Sequence, residues 1–130
     1  MKYNEFVGRV QHRARLSSTD EAVGAIRATL EVLGERLSGG EPSNLAAQLP
    51  PEVGRYLSAE TDGERFGLEG FFERVSKQEG TDLPDAVHHA RAVVSVLQEA
   101  VSQGEIDDVL AQLPDEYDPL FESGSEGSLT

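Results

Sequence analysis

Apolar positions recur along the chain at helical spacing, three and four residues apart, and nowhere alternate with period two over a useful length. The pattern predicts helices and no sheet. A first helix over residues 3–13 carries Tyr3, Phe6, Val7 and Val10 on one face. Ser18 followed by Glu21 forms a capping-box pattern, in which two side chains satisfy orphan backbone N–H groups. Val23, Ile26, Leu30, Leu33 and Leu37 then make a continuous stripe, which Gly39-Gly40 is expected to end. A short third helix carries Leu45, Ala46 and Leu49. Pro50 breaks its path, and Glu52 falls in the first turn of a last short helix, where a negative charge suits the dipole.

The same pattern returns. A shift of 64 lays residues 16–57 on 80–121 without a gap, with 15 identities in 42 positions. Ala22-Val23 falls on Ala86-Val87, Arg27-Ala28 on Arg91-Ala92, and Ala47-Gln48-Leu49-Pro50 on Ala111-Gln112-Leu113-Pro114. With one residue of slippage, Phe6-Val7-Gly8-Arg9-Val10 falls on Phe71-Phe72-Glu73-Arg74-Val75. The second long helix should start at Asp82, tolerate Pro84 in its first turn and bury Val87, Ala90, Val94, Leu97 and Val101. Val93 and Val96 widen that face, so it should be the more buried of the two. Helices this short cannot bury an apolar face alone. The expected fold is all-α: a duplicated unit of three to four helices, packed into one compact orthogonal-type bundle about a pseudo-twofold axis near the long helices. Residues 1–57 form the first unit, 58–65 a linker, 66–121 the second unit and 122–130 a flexible acidic tail.

The phrase Leu45-Ala46-Ala47-Gln48-Leu49-Pro50 with Glu52, the opening Tyr3-Asn4-Glu5-Phe6-Val7 and the stretch from Ala22 to Leu33 together resemble a prokaryotic family, domain of unknown function 2267. The second copy departs from the phrase where Val109-Leu110 replaces Leu-Ala. The resemblance covers nearly all of the chain except the tail. It implies an all-helical, duplicated domain; it implies no activity and transfers no catalytic residue.

Composition narrows the chemistry. None of the 130 residues is cysteine, which excludes disulfides, thiolate metal centres and thiol catalysis. The formal net charge is −13, and lysine occurs only at Lys2 and Lys77, against nine arginines and 24 acids. Such a balance resembles proteins of extreme halophiles, whose very salty cytoplasm screens self-repulsion; the plainer alternative is an ordinary acidic protein from an arginine-rich proteome. The charge is uneven: eight bases and ten acids in residues 1–65, three bases and 14 acids in residues 66–130. That surface repels phosphate backbones, so no nucleic-acid partner is expected. No apolar run has the roughly 20 residues of a membrane span, and the first residues lack a secretory pattern, so a cytoplasmic protein without membrane contact is expected.

Few residues invite a functional reading. Asp85 and His88 have the carboxylate-x-x-His spacing of a helical metal site, but the equivalent stretch from Glu21 to Gly24 has no histidine. The plainer reading is that His12, His88 and His89 are solvated or pack between helices. Arg27 and Arg91 could bind an anion; equally, each stem could cover apolar surface while its head pairs with a carboxylate, such as Glu31 for Arg27. Gln48 and Gln112 could read a ligand, or bond backbone freed at a helix break. Asp107-Asp108 reads as part of a solvated acidic face. No Gly-x-Ser-x-Gly elbow or phosphate-binding glycine loop occurs, and no cofactor is implied. These features favour a non-enzymatic, regulatory or stress-associated domain acting on a protein partner or by self-association. The alternative is a small-ligand or metal-binding protein using the cleft between the units.

Overall fold

Ser18 and Asp82 open the two longest helices in the same way. Ser18 Oγ accepts the Glu21 amide at 3.1 Å, and Asp82 Oδ1 accepts the Asp85 amide at 3.0 Å. The computed structural model describes residues 1–57 and 63–122. Its helices are α1 (Tyr3–Ala14), α2 (Thr19–Arg36), α3 (Glu41–Ala46), α4 (Pro51–Gly54), α5 (Leu68–Glu79), α6 (Leu83–Ala100), α7 (Gln103–Ala111) and α8 (Asp118–Phe121). A 3₁₀ turn at Arg55–Leu57 follows α4, and another at Asp115–Tyr117 precedes α8. No strand occurs among the described residues.

Four helices build the centre. α1 and α5 have 12 residues each, α2 and α6 have 18 each. α1 lies against both α2 and α6, α5 lies against both α6 and α2, and the two long helices touch each other. Each half therefore packs its first helix on the second helix of the other half. Phe6, Ile26, Leu30, Leu33, Phe71 and Leu97 are buried in one continuous core. Burying a side chain of this size contributes about 1.5–3 kcal/mol, so helices marginal alone become stable together. α3 meets α7 at one end, and α8 covers α6.

The long helices depart from expectation in two respects. α2 stops at Arg36, before Gly39-Gly40. Leu37 adopts extended backbone (φ −80°, ψ 153°) while its amide still reaches Leu33 O at 3.0 Å, and the side chain is fully buried. The chain thus leaves the helix in order to place Leu37 in the core. Nor is α6 the more buried helix: nine residues of α2 are buried against eight of α6. Ala22, Ala25, Ala28 and Gly34 are small enough for neighbours to approach α2 closely, and a Cβ on Gly34 would lie 3.3 Å from Leu57 O. Val23 and Val87, at the start of each stripe, are only half-buried.

Of the linker assigned to 58–65, residues 58–62 lie outside the described chain, as do residues 123–130 of the tail. Glu64 is tied down: its amide donates to Glu35 O at 2.8 Å, and its carboxylate meets Arg74 Nη2 at 2.7 Å. The ends of α1 and α5 share one geometry with different residues. Both C-caps are left-handed, Arg15 at φ 55° and Gly80 at φ 75°. Glycine adopts that conformation without strain, whereas arginine pays a Cβ penalty.

Candidate functional site

Both glutamines singled out from the sequence reach across to the opposite half. Gln48 Oε1 accepts the Ser102 amide at 2.8 Å, and Gln48 Nε2 donates to Glu105 Oε1 at 3.3 Å. Gln112 Oε1 accepts the Ser38 amide at 2.9 Å, and Gln112 Nε2 donates to Ser38 O at 3.2 Å. The 64-residue shift relates Gln48 to Gln112 and Ser38 to Ser102, so the two contacts are counterparts. Each satisfies backbone exposed where a long helix has just ended. Ion pairs follow the same exchange: Arg9 meets Glu99 at 2.7 Å, and Arg74 meets Glu35 at 3.0 Å.

Three carboxylates converge beside the Gln48 bridge. Glu41 opens α3, and Glu105 and Asp108 lie on α7; one oxygen of each is within 4.8 Å of the others. Glu41 is only 7% exposed. Glu41 Oε1 and Glu105 Oε2 are buried without a hydrogen-bond partner. Burial, then a hydrogen bond between protonated Glu41 and Glu105, then the charges of Glu105 and Asp108, push the Glu41 carboxyl up to about 7. Asp108 is exposed, as a solvated face predicts, but the face adjoins buried Glu41 and half-buried Glu105. Glu41 and Glu105 are identical under the 64-residue shift, but so are Glu35 and Glu99, so the repeat did not single them out.

An open groove of about 800 Å³ runs between α2, the Arg55–Leu57 turn and the end of α5. Arg27 lines it, paired with Glu31 at 3.3 Å as its spacing suggested, and the Arg27 side chain is 65% exposed. Arg55 stacks over the Tyr56 ring at 5.1 Å. At the far end Glu79 Oε2 lies 2.6 Å from His89 Nδ1, both side chains largely buried. Burial pushes the Glu79 carboxyl above its ordinary range, against the pull of His89. The corresponding positions in the first half are Ala14 and Ala25, also buried. The position of His89 between buried Ala86 and Val93 on the helix was the sequence signal for its inward face.

Asp85 and His88 are both exposed on α6. Among the described residues no third His, Asp or Glu joins them in a ligand group. Arg91 is half-buried in α6.

The fold and its junction define an all-helical domain whose halves exchange equivalent polar contacts. The chain belongs to the family described as uncharacterized conserved protein (DUF2267), whose family model matches residues 3–120. Comparison with curated proteins found no match. Among the described residues no helix is long and apolar enough to cross a membrane.

Proposed function

We propose that the protein is a non-catalytic cytoplasmic module, made of two copies of one helical unit, that regulates by binding a protein segment in the groove between α2 and α5. The groove carries this reading. Five of its nine lining residues are charged, Arg27, Glu31, Glu35, Arg55 and Glu79, and it is open to solvent. Small-molecule sites are mostly apolar and enclose their ligand. A polar segment of mixed charge suits this groove better. Among the described residues Leu83 is the large hydrophobic residue that stands exposed, so the contact is polar rather than an apolar patch. The repeated Gln48 and Gln112 are engaged between the halves, which supports a structural role for them over ligand reading. The excess of acids over lysine supports work at high salt.

Quantitative affinity capture from the protein's own cells tests the proposal, with the full chain as bait at native salt. The partner should be lost with Arg27→Glu/Arg55→Glu and kept with His88→Ala. Equal capture by both variants refutes the groove as its site. Native mass spectrometry of the same eluates would reveal a small ligand instead, and sedimentation equilibrium would identify the partner as a second copy.

A further inference from the structure

Glu41 and Glu105 differ from the acids of this surface that pair with arginine. The carboxylates of Glu99 and Glu35 meet arginines, whereas Glu105 receives the neutral amide of Gln48 and retains a buried oxygen with no partner. Glu41 is more than nine-tenths buried and has an unpartnered Oε1, and one of its carboxylate oxygens belongs to this cluster. Leaving buried acceptors unmatched is costly, and placing like charges together adds to the cost.

We propose that Glu41, Glu105 and Asp108 form a binding site for one hard divalent cation, calcium or magnesium, that clamps α3 to α7. The separation fits. Oxygens bound to one calcium lie about 2.3–2.6 Å from it, so two of them can be no more than about 5 Å apart. These three lie within 4.8 Å of one another, inside the span of calcium; magnesium, bonded at about 2.0–2.1 Å, spans only about 4.2 Å and requires the carboxylates to draw closer. An all-oxygen donor set selects hard cations over the softer metals that prefer nitrogen and sulfur. Exposed Asp108 leaves one side open for water, which completes the shell of either ion. A single proton neutralises one of the three carboxylates; a divalent ion offsets two charges at once. Glu41 and Glu105 come from opposite halves, so the cation adds a third kind of cross-link to the glutamine bridges and the arginine pairs. This site is independent of the α2–α5 groove and of any partner there.

Isothermal titration calorimetry of the full chain with calcium chloride and magnesium chloride tests it. About 1 M potassium chloride in the buffer shrinks the Debye length to about 3 Å and suppresses diffuse attraction to the acidic surface. One ion should bind per chain, with a dissociation constant of about 10⁻⁴–10⁻³ M, the range of weaker oxygen sites. Glu41→Gln and Asp108→Asn should each weaken binding at least tenfold, and Asp107→Asn, on the neighbouring exposed position, should not. Asp108 is exposed, so its variant keeps the fold, and a melting curve without divalent ions checks both proteins. The melting temperature of the wild type should rise with the logarithm of cation concentration. Failure of both cations to bind overturns the site, as does binding unchanged in Glu41→Gln and Asp108→Asn, which would mark general association with the acidic surface.

Discussion

Gln112 Oε1 accepts the amide hydrogen of Ser38 at 2.9 Å, across 74 residues of chain. The bond closes the backbone just beyond the end of α2, and Gln112 Nε2 returns a second bond to Ser38 O. Gln48 does the same for the Ser102 amide beyond α6. A net contribution of about 0.5–1.5 kcal/mol per bond is usual, with partly buried bonds at the upper end. Gln112→Ala should therefore cost about 1–2 kcal/mol in urea unfolding, and Gln48→Ala, in a more exposed setting, about 0.5–1 kcal/mol. No loss of stability in either variant would return these residues to the ligand reading.

The pH dependence of stability should be dominated near neutrality by Glu41. Its carboxyl sits at about 7 in the folded chain against an ordinary 4.5, through burial and then Glu105 and Asp108 on α7. The folded state thus holds a proton that the unfolded state has released. This contribution is full below about pH 4.5 and is lost as pH rises through 7. The whole step is on the order of 3 kcal/mol, from 1.36 kcal/mol per unit of displacement. In the presence of a chelator, urea stability should fall between pH 5 and pH 8, and Glu41→Gln should flatten the profile and exceed wild type at pH 8. Identical profiles would mean Glu41 is no more perturbed than a surface acid.

Arg15 and Gly80 end equivalent helices with the same left-handed cap, at φ 55° and 75°. Arg15→Gly should raise stability by about 0.5–1 kcal/mol, the relief of the Cβ clash being partly offset by a freer unfolded chain. Gly80→Arg should lower it by a similar amount. Thermal unfolding of both proteins checks the pair, and a loss in Arg15→Gly would show that the arginine side chain does more than tolerate its backbone.

Thirteen excess negative charges should make the fold depend on salt. The Debye length falls from about 10 Å at 0.1 M to about 3 Å at 1 M, so repulsion across the surface fades over that range. The melting temperature should keep rising with potassium chloride beyond about 0.5 M. Because salt also strengthens apolar burial, the decisive protein is Glu73→Gln/Asp107→Asn/Asp115→Asn, neutralised at three exposed positions. It should reach the same melting temperature at lower salt. An unchanged salt curve would remove self-repulsion as the cause.

The helices were legible because their signals are local. The caps Ser18 and Asp82, the stripes through Leu33 and Leu97, and the breaks at Pro50 and Pro114 depend on residues within a turn or two of one another. The family phrase and the pairing of Arg27 with Glu31 were readable for the same reason. Where α2 ends was not, because the burial of Leu37 overrides the glycines that follow it. The sequence by itself marked Gln48 and Gln112 as repeated residues of interest. Only the tertiary structure decided what they bond, since their partners lie 54 and 74 residues away. It alone separated Glu41 and Glu105 from the other acids, because a carboxylate's surroundings depend on what the rest of the chain packs around it. Helix and cap are written in neighbours along the chain; burial, charge proximity and unmet hydrogen bonds arise only when distant segments meet.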